Sequence, residues 1–341
     1  MSRKPSSFAE ASPPQPVPPD HSTRNLGLLA VHQILFRIAW LFKTESVIVP
    51  GFLDFVAGAN AGVFRGFLPI LSRVGQGVVP LFFTGTVERL PRKKFLLGII
   101  TAGLGLPFLT AGWLHRKFPE GLPYSAVVFL CLYFVFAALN GLYLVLFGTV
   151  QGKLIHAERR GRLLTLSTFW GTIPAVAAAL VFLPRWLDAA GPNYTAVFTA
   201  AAAIFALSGL VVPALAEPKS PSPSSTAAPR PAVGVAWRTV LADTALRRLM
   251  LVTVLFSVTL VLIPHYQALA RQAWGLGGSD RVVWIVVQSV SVGLLSTLVG
   301  PAADRRGNRL TLRMLIFGAA AAPMFAVLLT WLPGSIAARV F

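Results

Sequence analysis

Apolar residues in this chain do not alternate with polar ones; they gather into long blocks. Residues 95–114, 163–184, 249–270 and 282–303 contain no charged side chain at all. Residues 121–152, 189–216 and 314–338 are uncharged too, each including some loop. A bilayer core about 30 Å thick takes roughly 20 residues of helix to cross. These seven blocks therefore predict membrane-spanning helices. Two more precede them, at 26–56 and 61–83, and both of those carry charges.

Composition points the same way. Hydrophobic residues make up 55% and charged residues 12% of the chain, where a soluble domain carries about 25% charge. The formal net charge of +18 invites a nucleic-acid reading, but its placement argues against one. Bases crowd into alternate loops: Arg89, Arg92, Lys93 and Lys94; then Lys153, Arg159, Arg160 and Arg162; then Arg305, Arg306, Arg309 and Arg313. The intervening loops hold few, such as Arg116, Lys117 and Arg185. That alternation is the positive-inside pattern and puts the N-terminus in the cytoplasm. Trp113, Trp186, Trp274, Trp284 and Trp331 fall near the outer ends of the spans, where amphipathic rings prefer to sit. The lone Cys131 excludes a disulfide or thiolate metal framework within the chain. Asn193-Tyr194-Thr195 is a glycosylation sequon on an outer loop, a short pattern of low specificity.

Two loops repeat a motif. Glu88-Arg89-Leu90-Pro91-Arg92-Lys93 follows the second span, and Asp304-Arg305-Arg306-Gly307-Asn308-Arg309 follows the eighth, with Gly300 ahead of it. Both read acid, Arg, any residue, Gly or Pro, any residue, base. This pair, six helices apart, resembles the cytoplasmic loop motif of the major facilitator superfamily (MFS) of secondary transporters. The resemblance implies two homologous six-helix bundles that rock about a midplane site. It also implies that the acid pairs with its adjacent Arg and with the start of a helix of the other bundle, latching the inner gate. Glu88 replaces the usual Asp, Pro91 the usual Gly, and Thr84 the first Gly, so the later copy is closer to the pattern.

The expected fold is thus an all-α integral membrane protein in four parts. Residues 1–25 form a polar cytoplasmic tail, and 26–215 an N-terminal six-helix bundle. Residues 216–248 form a Pro/Ser-rich linker ending in an interfacial segment, and 249–341 a partial second bundle. Only three spans follow the linker, so the sequence is expected to be a fragment of a twelve-helix protein.

Ionisable groups at membrane depth mark pathways or internal pairs, and the first two spans hold them: Arg37, Lys43, Glu45, Asp54, Arg65 and Arg73. Depth matching pairs Glu45 with Arg73 and Asp54 with Arg65. On a continuous helix, Lys43 and Glu45 would point about 200° apart. These groups are either buried ion pairs holding the two spans together, or a coupling site. In the second case Glu45 carries a proton and Arg73 or Lys43 holds an anionic group of the substrate. A third reading puts Lys43 to Glu45 in a break, since Pro50 follows. Asn140, His265 and Gln267, with Gln288 and Ser289, are further polar candidates that could equally serve as glue between helices. His32 and Gln33 are expected at the interface.

No phosphate-binding Gly-Lys-Ser/Thr loop is present, and His156-Ala157-Glu158 lacks partners for a metal. The expectation is therefore a multi-pass inner- or plasma-membrane transporter of a small solute by alternating access. It has no cofactor, no enzymatic activity and no nucleic-acid partner; the bilayer and protons are its expected partners. The alternative is a non-transporting remnant, or a scaffold of the same fold that depends on a partner.

Overall fold

The computed structural model describes residues 21–118, 124–187, 191–220, 233–274, 280–306 and 308–331, and every regular element among them is helical. In chain order these are α1 (Ser22–Leu41), α2 (Ile48–Ala57), α3 (Ala61–Arg89), α4 (Lys94–Gly103), α5 (Leu106–Lys117), α6 (Ser125–Leu154) and α7 (Ala157–Trp186). They continue as α8 (Tyr194–Val211), α9 (Val233–Ala242), α10 (Thr244–Leu260), α11 (Ile263–Trp274), α12 (Asp280–Arg306) and α13 (Asn308–Thr330). Among the described residues, seven helical segments are long and apolar enough to cross a membrane: Ile48–Phe83, Lys94–Lys117, Ser125–Leu154, Arg159–Trp186, Tyr194–Ala214, Thr244–Tyr266 and Leu312–Leu329. Their outward faces are greasy, with Phe82 at 70% and Leu210 at 72% exposure. Apolar surface on that scale is covered by lipid in a multi-pass membrane protein.

Three of the expected spans are broken rather than straight. The first divides into α1 and α2 around residues 42–47, the third into α4 and α5, and the seventh into α10 and α11. Each break has a proline just beyond it: Pro50, Pro107 and Pro264. Proline lacks an N–H, and its ring collides with the carbonyl four residues back. Four back from these lie Ser46 in the first break, Gly103 at the end of α4 and Leu260 at the end of α10. Proline alone does not decide the matter, because Pro69 and Pro80 leave α3 continuous. At the first break, the polar run from Lys43 to Ser46 adds to the effect.

The first bundle pairs α3 with α6, α1 with α7 and α8, and α4 and α5 with α8. Phe52 organises its core, with ring centroids 4.8 Å from Phe129, 5.1 Å from Phe198 and 5.2 Å from Tyr194. Small residues set the close crossing of α3 and α6. A Cβ added at Gly141 of α6 would lie 2.6 Å from the Gln76 carbonyl of α3, so these backbones touch as only glycine permits. Asn193 of the sequon has a structural task here: its side chain accepts from the Ala196 N–H at 3.0 Å and caps α8. Beyond α9, the later helices join the first bundle by α12 against α7 and α11 against α3.

The segment expected to open the linker is instead fixed to the first bundle. Asn25 and Ala216 exchange hydrogen bonds of 3.1 and 2.9 Å, and Ser220 donates to the Pro91 carbonyl at 2.8 Å. The body of the expected linker, 221–232, and residues 1–20 of the expected tail lie outside the described residues.

Candidate functional site

The break in the first span is the centre of the site. Residues 42–47 leave the helical path, and the Thr44 carbonyl receives both the Ile48 and Val49 N–H groups, at 3.1 and 3.0 Å. This turn brings Lys43 and Glu45 to the same side. Lys43 Nζ donates to Glu45 Oε1 at 2.8 Å, so the two side chains that a straight helix would hold apart form an ion pair. Lys43 is wholly buried, while Glu45 is 34% exposed. The ammonium lies 3.1 Å from the Trp40 ring centroid and 4.4 Å from that of Phe136. Ring faces attract a desolvated cation, which offsets part of the cost of burying it.

Glu45 opens onto a cavity of about 220 Å³, lined also by Trp40, Thr44, Ser46, Ser72, Arg73 and Gln288. A neighbouring lobe of about 370 Å³ shares Trp40, Thr44 and Gln288 and adds Gln33, Arg37, Ser167, Thr168, Thr172 and Ser289. The two lobes meet at a common wall of Trp40, Thr44 and Gln288 and are bounded by helices from before and after the linker. Ser46 Oγ donates to Gln288 Oε1 at 2.6 Å, a direct bond between the first break and α12. Arg37 donates to Thr168 Oγ1 at 3.2 Å. The Tyr133 hydroxyl is buried beside Glu45 and Ser72 with no hydrogen bond of ordinary geometry.

The predicted pairings are met in part. Asp54 and Arg65 pair at 2.8 Å, both nearly buried. His265 of α11 lies half-buried within electrostatic reach of that pair. Glu45, however, binds Lys43 rather than Arg73, because the break removes the angular separation that a regular helix would impose. Arg73 remains close enough for its field to act on Glu45, and among the described residues it makes no ion pair. Asn140 is buried in α6 and lines neither lobe. The side chain of Gln267 lies outside the described residues.

His32 and Gln33 do not sit at an interface. His32 is 1% exposed, with its ring Nδ1 and the Ser208 Oγ 2.8 Å apart and its Nε2 3.3 Å from the Tyr143 hydroxyl. Gln33 donates to that hydroxyl as well. This network ties α1, α6 and α8 together, and its Gln33 lines the larger lobe. One apolar face was hiding it: a lone His and Gln among Leu and Ala read as a headgroup contact when their partners lie over a hundred residues away.

The first copy of the loop motif leads into α4. Glu88 and Arg89 close α3 on the surface, Arg92 is exposed, and Lys93 is buried. The carboxylate seated at a helix start belongs to Glu217. Its oxygens accept from the Lys93 and Lys94 N–H groups at 3.1 and 2.8 Å, at the N-terminus of α4, and Lys153 Nζ pairs with it at 3.1 Å. The positive end of a helix dipole favours an anion there. Sequence reasoning passed over Glu217 because Pro218 and the serines after it read as linker. In the later copy, Gly307, the surroundings of Gly300 and the side chains of Asp304, Arg305 and Arg309 lie outside what is described.

The chain matches no protein-family model, no curated protein and no solved structure.

Proposed function

We propose that this protein is a secondary transporter of the major facilitator type, moving a small solute through the polar cavity at the first break by alternating access. The observation that carries the reading is that cavity itself. Water-sized space, two guanidinium groups and a partly exposed carboxylate are costly inside a bilayer and are kept where a pathway needs them. Broken helices whose irregular backbone lines a cavity are the usual construction of such sites.

Glu45 is the proton-coupling group in this reading. Ionised, it holds Lys43 and, through the bent segment, keeps Ser46 in place for Gln288. Protonated, it loses the ion pair, and the ammonium is left to the two rings. The link between the first break and α12 then loosens, and the two halves separate on one side while closing on the other. The N-terminus and the basic loops face the cytoplasm, and Glu217 with Lys153 fastens the inner end of the first bundle.

Proteoliposomes carrying a pH gradient and a panel of labelled small solutes test this directly. At least one solute should accumulate against its gradient, and Glu45→Gln, which keeps an acceptor for Lys43, should abolish the proton-driven part while expression is intact. Unchanged proton-driven uptake in that variant removes Glu45 from the mechanism. Absence of uptake or exchange for every solute removes the transporter reading.

A further inference from the structure

The cavity has an imbalance of charge that says more than "small solute". Four ionisable side chains line or floor its two lobes: Arg37, Lys43, Glu45 and Arg73. Lys43 is buried and occupied by Glu45. Arg37 and Arg73 remain, and among the described residues neither pairs with a carboxylate. Both sit deep. Arg37 is about 22 Å along α1 from Ser22, and Arg73 about 18 Å along α3 from Ala61, taking 1.5 Å per residue. A guanidinium does not give up its proton, so each is a fixed cation at that depth.

We infer that the cavity binds an organic dianion: a dicarboxylate with one carboxylate in the lobe of Arg37 and the other in the lobe of Arg73, the single phosphate of a phosphomonoester being the competing form that the test distinguishes. This rests on the transporter reading for what the binding is for, but not for the binding itself. The planar fork of a guanidinium matches carboxylate and phosphate oxygens. Beside Arg37, the Thr168 hydroxyl accepts from the guanidinium and keeps its own proton to donate to the same anion. Gln288 lies on the wall common to both lobes and can reach either end. Glu45 is the one acid in the lining, and it acts on Arg73 from the same lobe. A proton on Glu45 removes its negative charge from that end and frees the Lys43 ammonium from the ion pair, which gives co-binding of a proton and an anion a physical basis. A neutral sugar or an organic cation would bring no negative charge to the part-buried Arg37 or to Arg73, which faces the open side of its lobe.

The test is thermal unfolding of the full chain in detergent at fixed ionic strength, titrated with succinate, glycerol 3-phosphate, glycerol and tetramethylammonium. Succinate or glycerol 3-phosphate should raise the melting temperature saturably, and the stronger of the two identifies the oxygen group preferred. Arg37→Gln and Arg73→Gln should each weaken that response at least tenfold. Arg116→Gln, at the exposed end of α5 and lining neither lobe, should leave it unchanged. If a glutamine variant does not fold, Arg37→Lys and Arg73→Lys keep the charge and should lower the affinity without abolishing it. Equal stabilisation by glycerol, or an anion response that both arginine variants leave intact, overturns the inference. Anion binding without any transport would overturn the transporter reading alone, and transport of neutral solutes only would overturn the anion site alone.

Discussion

At the scale of single residues, the Lys43–Glu45 pair decides how the site works. The lysine is fully enclosed and the acid is not, so the two losses are unequal. Glu45→Leu leaves a buried ammonium with only ring faces for company, a change that costs about 3 kcal/mol when a buried pair is broken. Lys43→Met combined with Glu45→Leu removes both charges and restores an apolar core. The double variant should therefore melt close to the wild type while the single Glu45→Leu melts several degrees lower. Circular dichroism melts of the three proteins check this; equal destabilisation of single and double variants would show that the ion pair is not what matters there. The charges at this site were legible in the sequence, since ionisable residues stand out in apolar blocks. Their pairing was not, because a two-residue offset gives opposite faces on a helix and the same side in a turn. Arg37 was legible by the same signal and was passed over in favour of residues nearer mid-depth.

Elements add a second set of constraints. The α3–α6 crossing depends on backbone approach, and Gly141 is its closest point. Gly141→Leu should force the helices apart and deplete monodisperse protein on gel filtration. Gly148→Leu in the same helix, where a Cβ meets nothing within 4 Å, should not. The start of α4 depends on Glu217 in a different way. Glu217→Ala strips two backbone N–H groups and Lys153 of their acceptor at once, and loss of such a cap costs about 1–2 kcal/mol. A lower melting temperature with an unchanged helix content is the expected result, and an unchanged melt would contradict it. The apolar blocks gave away the spans, because a bilayer imposes their length. The breaks within them were harder: prolines that interrupt a helix and prolines that it tolerates look alike in sequence, and neighbouring helices decide between them. Glu217 was hidden for a related reason, since its partners at 93, 94 and 153 are contiguous only after folding.

For the whole molecule, the account requires that the cavity face the two sides of the membrane in turn. In the conformation described, Ser46 and Gln288 hold the first break against α12. Ser46→Ala removes that bond and should shift the balance toward the opposite-facing state. The measurement that bears most directly on the central claim uses a cysteine at the cavity wall. Ser289→Cys in a Cys131→Ser background places one thiol in the larger lobe, to be probed with a charged, membrane-impermeant thiol reagent in right-side-out and in inverted vesicles. The account predicts modification from both sides, with a ratio that Ser46→Ala changes. Modification from one side only, unmoved by Ser46→Ala, would contradict it and leave the cavity as a dead-ended pocket in a membrane scaffold.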